Sequence, residues 1–76
     1  MKLADIEHSI DVARSDLERV QILEKALPCL RGKDVRTAMI ILANLYALLG
    51  KYGKAATLYE LAGMSEEAVK ARVRRV

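Results

Sequence analysis

Four cations crowd the end of the sequence: Lys70, Arg72, Arg74 and Arg75. Such clusters neutralise phosphates and drive sequence-independent affinity for nucleic acid. No aromatic residue interleaves with them to stack on bases, and the glycine turns upstream fit no helix-turn-helix. The same cations complement the negative C-terminal end of a helix. The other reactive types occur singly. His8 is the one histidine and Cys29 the one cysteine, which leaves neither a Cys/His metal cluster nor an intrachain disulfide. His8 lies among acids and reads as solvent-exposed. Cys29 has only Arg31 nearby to lower its pKa and reads as a small apolar filler. The stretch RGKDVRT contains Gly-Lys but lacks the Gly-rich spacing and preceding strand of a phosphate loop. Nothing supplies nucleophile, base and orienter together. A non-enzymatic protein without metal or cofactor is expected.

The elements that position these residues read as helices throughout. Leu3, Ile6, Ile10, Ala13, Leu17, Val20 and Leu27 recur at steps of three and four, with Leu23 beside them. No Gly or Pro interrupts before Pro28. One helix over residues 2–27 is predicted. Pro28 and Gly32 mark a connection, and Asp34 is a good N-cap for a second helix reaching about Leu49. The body of that helix, AMIILANLYALL, is apolar nearly all round, as in a helix covered on several sides. Gly50 ends it. A third helix runs from Gly53 or Lys54 to Ala62. Ser65 caps a fourth, which carries Val69, Val73 and Val76 on one stripe and reaches the last residue. The expected fold is all-α, a four-helix antiparallel arrangement within one domain. LLGKYGKAATLY and LAGMSEEAVKAR echo each other at an offset of thirteen residues.

Leu42, Ala43, Tyr46, Gly50, Tyr52, Ala55, Tyr59 and Ala62 follow a spacing of large and small residues that resembles a tetratricopeptide repeat over residues 39–63. Small Ala43 and Ala55 let two helix backbones approach, and Gly50 permits the turn. The chain departs from the family at Met39, where Trp is favoured, and at Glu67, where Pro is favoured. A step of one repeat length back from Ala43, Gly50 and Ala55 meets Ser9, Asp16 and Gln21, so there is one copy. The resemblance implies a hairpin whose inner helix lines a peptide-binding groove, with the N-terminal helix as a candidate to fill it. Asn44 falls at the Asn of the family's carboxylate clamp, but Ile40 stands where its Lys would be, so the clamp is not implied. Asn44 therefore contacts a partner peptide, fixes the register of a helix pair, or is a polar side chain at the rim or bonded internally.

Composition sets the remaining expectations. A 76-residue chain buries only about 60% of its unfolded surface and is marginally stable alone. Its apolar fraction of 53% exceeds the ~45–50% of ordinary domains. Residues 1–27 carry four basic and six acidic side chains, and residues 28–76 nine and four, giving −2 and +5. Such asymmetry steers partners or makes complementary surfaces on neighbouring subunits. Few amides with many Lys, Arg and Glu is a thermophile-like balance. A lone cysteine fits a reducing, cytoplasmic setting, and the apolar runs are too short for a bilayer. A first helix of about 26 residues, ~39 Å, should overhang a second of ~23 Å by roughly three turns. The expected interaction face combines Ile6, Ile10 and Leu17 with Ile41, Asn44, Leu45 and Leu48. The expected function is a helical protein–protein interaction module that docks on a larger protein or forms homo-oligomers. The alternative is a nucleic-acid-associated protein using the basic half.

Overall fold

The apolar stripe of residues 3–27 is carried by two helices, not one. The computed structural model describes residues 3–74, so the expected helical ends at Lys2 and Val76, and the cation Arg75, lie outside the described residues. The described residues form α1 (Leu3–Val12), α2 (Asp16–Ala26), α3 (Lys33–Leu48), α4 (Tyr52–Leu61) and α5 (Ser65–Arg74), with a 3-10 turn at Leu27–Cys29. No strand occurs among them. The all-α class holds, and the four-helix count is corrected to five.

The correction has a local cause. Ser15 is extended and its Oγ accepts from the Glu18 amide at 3.2 Å. Glu18 reaches back to accept from the Arg14 amide at 3.2 Å. This is a variant of the capping box, which starts a new helix wherever it is satisfied. Arg19 then ties the joint. Its Nε donates to the Ile10 carbonyl at 3.1 Å and its Nη2 to the Ala13 carbonyl at 3.0 Å. The Ile10 carbonyl also takes the Ala13 amide at 3.2 Å, and both carbonyls lie at the end of α1, where helical donors run out. Asp16 holds the guanidinium at 2.8 Å. The expected three-turn overhang therefore does not exist.

Helix α3 begins at Lys33, one residue before the expected cap, with Gly32 as N-cap. Asp34 lies in the first turn, where a carboxylate faces the positive helix end. Two identical turns follow. At Gly50 (φ 78°), the Gly50 amide donates to the Ala47 carbonyl at 3.0 Å and Lys51 to Tyr46 at 2.8 Å. Thirteen residues later, Gly63 (φ 80°) donates to Glu60 at 3.0 Å and Met64 to Tyr59 at 2.8 Å. Both are Schellman motifs, which need a residue at positive φ after the helix end. Helix α4 starts at Tyr52, slightly ahead of its expected start.

The helices pack chiefly in chain order: α1 on α2, α2 on α3, α3 on α4, α4 on α5. The interior is rich in alanine. Ala38, Ala43, Ala55, Ala56 and Ala68 are enclosed, which brings α3, α4 and α5 close together, and Leu23 is the largest side chain wholly inside. Arg36 on α3 donates to the Ala62 carbonyl at 2.8 Å and closes the far end of α4. No helix among the described residues is long and apolar enough to cross a membrane.

Candidate functional site

Helices α3 and α5 flank α4 and leave a shallow groove of about 540 Å³ between them. Helix α3 contributes Asn44, Ala47 and Leu48, α4 contributes Tyr52 and Tyr59, and α5 contributes Glu67 and Arg74. A narrower recess of about 40 Å³ continues toward Lys70 and Ala71. The turn at Gly50 positions this surface. It reverses the chain within three residues, so the last turn of α3 and the first of α4 meet at one end of the groove.

The groove is open and mixes polar with apolar groups in about equal measure. The Tyr59 hydroxyl donates to Asn44 Oδ1. That bond orients the amide and leaves its nitrogen directed elsewhere. Burial pushes the Tyr59 hydroxyl above its ordinary pKa, with the Glu67 charge adding to the effect. Glu67 pairs with Lys70 at 3.7 Å. Arg74 makes no ion pair with a described residue. The site thus offers an amide, a carboxylate and a guanidinium around Leu48, which is 73% exposed.

The expected interaction face is not brought together. Ile6 and Leu45 are core residues, 3% and 7% exposed, because the break after Val12 turns α1 onto α2 and α2 covers one side of α3. Ile10 and Ile41 are half-buried against that core. Leu17 is exposed in the first turn of α2. Only Asn44 and Leu48 of that set line the groove. Helix α1 does not fill it, since α1 packs on α2. Asn44 is exposed and its Oδ1 accepts from the Tyr59 hydroxyl.

The basic cluster is divided. Lys70 borders the recess, Arg74 lines the groove, and Arg72 turns back to pair with Glu60 on α4. That guanidinium holds the Glu60 carboxyl below its ordinary range. Arg75 lies outside the described residues. Cys29 is exposed, contrary to the filler role expected of it, because the 3-10 turn carries it outward and buries Leu30 instead. His8 is exposed as expected. Tyr52, Tyr59, Glu67 and Arg74 are the groove residues that spacing alone did not join. The thirteen-residue echo was the signal for Tyr52, Tyr59 and Glu67, since it sets α3, α4 and α5 in succession through two like turns; Arg74 lies just beyond it. A second cleft of about 380 Å³ lies between α1 and α2, with Ile6, Ile22 and Ala26 among its lining residues and Asp5 and Lys25 beside them. No family model, curated protein or solved structure matches this chain.

Proposed function

We propose that the chain is a small non-enzymatic protein-interaction module whose α3–α5 groove receives a segment of another protein. The observation that carries this reading is the groove itself, where exposed Leu48 lies beside oriented Asn44 and beside Arg74, which makes no ion pair with a described residue. Likeness of residues 39–63 to a tetratricopeptide hairpin supports it. Enclosed Ala43 and Ala55 stand where that hairpin places small residues, and Gly50 ends the first helix at positive φ. A peptide segment with an apolar anchor and a carboxylate suits these walls. The same module self-associates or docks on a larger protein, in a cytoplasmic setting.

Selection of a peptide display library on the purified full chain tests this. Peptides should be recovered, and Leu48→Asp and Arg74→Ala should each weaken their binding roughly tenfold, about 1.4 kcal/mol. An unchanged circular dichroism spectrum would show both variants folded. Failure to select peptides, or binding indifferent to both substitutions, would remove the groove from the reading.

The nucleic-acid reading draws on Lys70, Arg72 and Arg74. It has less support, since Lys70 and Arg72 are engaged by Glu67 and Glu60. If it holds, replacing the three with Ala weakens binding to any sequence and flattens the salt dependence. No salt-dependent binding of DNA or RNA dismisses it.

A further inference from the structure

We propose that copies of this chain join head to tail, with the outer face of α5 on one copy seated against the outer face of α1 on the next. The proposal rests on the interaction-module reading and names a second copy as one partner, on a surface centred on Val69 and Val73 that adjoins the α3–α5 groove at Arg74.

Packing in chain order leaves two different ends. Helices α2, α3 and α4 each have a helix on either side, whereas α1 packs chiefly on α2 and α5 chiefly on α4. An open stack of this kind exposes a flank that in a longer stack would be covered. On α5 the buried residues are Ala68 and Ala71, which face α4. Val69 and Val73, one helical turn apart, are 58% and 69% exposed. On α1, Ile6 faces inward while Val12 is exposed at its end, and Leu17 is exposed just beyond the joint.

Charge chooses the partner. Between Leu3 and Val12, α1 carries Asp5, Glu7 and Asp11, all exposed, and neither Lys nor Arg. The second half of α5 carries Lys70, Arg72 and Arg74; Lys70 and Arg72 pair with Glu67 and Glu60 only through exposed contacts, which leave both cations open to solvent and hold them weakly. Glu66 and Glu67 occupy its first turn, so the complementary region is its C-terminal half. Two α1 faces repel each other, and so do two C-terminal halves of α5. The unlike ends attract. Like-charge juxtaposition at an interface disfavours the symmetric pairing. A contact between unlike surfaces is heterologous, and it propagates to a ring or a filament instead of stopping at a dimer.

Sedimentation velocity on the full chain, over a concentration series at low and high salt, tests this with two variants. Val69→Asp/Val73→Asp blocks the tail, and Glu7→Lys/Asp11→Lys blocks the head. All four positions are exposed, and thermal melts followed by circular dichroism check folding. Should the aspartates unfold α5, Val69→Ser/Val73→Ser takes their place. The wild type should grow past dimer with concentration and associate about tenfold more weakly at high salt. Each variant alone should remain monomeric. Mixed, they should form a 1:1 complex that grows no further, since each retains one competent end. A monomeric wild type, growth that ends at a symmetric dimer, or a mixture that forms nothing overturns head-to-tail joining. A monomeric wild type that still binds selected peptides leaves the interaction-module reading standing, so the two failures are distinguishable.

Discussion

Tyr46 and Tyr59 occupy the same place in two successive helices. Each lends its carbonyl to a glycine turn and its hydroxyl to the helix before it. Tyr46 donates to Glu24 on α2, and Lys54 Nζ lies 5.5 Å from its ring centre. The bond to the carboxylate, with burial and the negative charge adding to it, pushes the Tyr46 hydroxyl up to about 12. Tyr46→Phe should therefore destabilise the fold by about 1.5–3 kcal/mol, as for a bond to a charged group. In a domain of this size each kcal/mol lowers Tm by about 4–8 °C, so differential scanning calorimetry reads the loss directly. The pH dependence follows from the raised pKa. The folded state favours the protonated hydroxyl, so its contribution is complete below the ordinary tyrosine value of 10.0 and is lost as pH rises through about 12. The stability gap between wild type and Tyr46→Phe should shrink across that interval. A gap that stays constant would mean that the hydroxyl does not govern it. Tyr59→Phe should cost less, about 1 kcal/mol, because its acceptor is a neutral amide. Asn44 was legible as a lone amide in an apolar helix. Its partner was not, because the contact depends on how α3 and α4 cross.

At the scale of the element, the informative residues are those that stop helices. The steps from Ile10 to Ala13 to Leu17 stay in helical register through the break between α1 and α2, so periodicity alone is blind to it. The stop was nonetheless written as Ser15-Asp16-Leu17-Glu18, a capping-box pattern inside an apolar repeat. Local hydrogen bonding overrode the stripe, and with it went the overhang and half of the expected interaction face. Ser15→Ala should destabilise the chain by about 1 kcal/mol through loss of the cap. Arg19→Ala should cost more, since it strips the Ile10 and Ala13 carbonyls of a donor at once. Equilibrium urea denaturation of both variants checks the order. The glycine turns were legible, because a left-handed position after a helix calls for glycine. At Gly50 an added Cβ would meet nothing within 4 Å, so Gly50→Ala isolates the backbone cost of φ 78°. About 1–2 kcal/mol is expected. A loss well beyond that would point to a change in how α3 meets α4.

For the whole molecule, the all-α class was legible because every apolar period in the sequence is helical. The arrangement was less so. Which flank of a helix faces outward depends on where its neighbours lie, and Leu45 and Leu48 differ only in that respect: the first is enclosed in the core, while the second opens on the groove. The order of packing has a dynamic consequence. Local opening is easiest where an element has fewest buried neighbours. Helix α1 buries Ile6 alone among its residues, whereas α3 buries five, from Ala38 to Tyr46, and has helices on both sides. Amide exchange should therefore be slowest in α3 and the enclosed face of α4, and fastest in α1. In dilute solution the Leu3–Val12 amides should exchange with an opening free energy well below that of the core. If head-to-tail contacts cover α1 and α5, local opening of those two helices should be suppressed as protein concentration rises, and their protection should climb toward that of α3. Uniform protection of α1 and α3 at every concentration would mean that the two ends of the stack are bound together within one chain, and that no open flank exists for a second copy to cover.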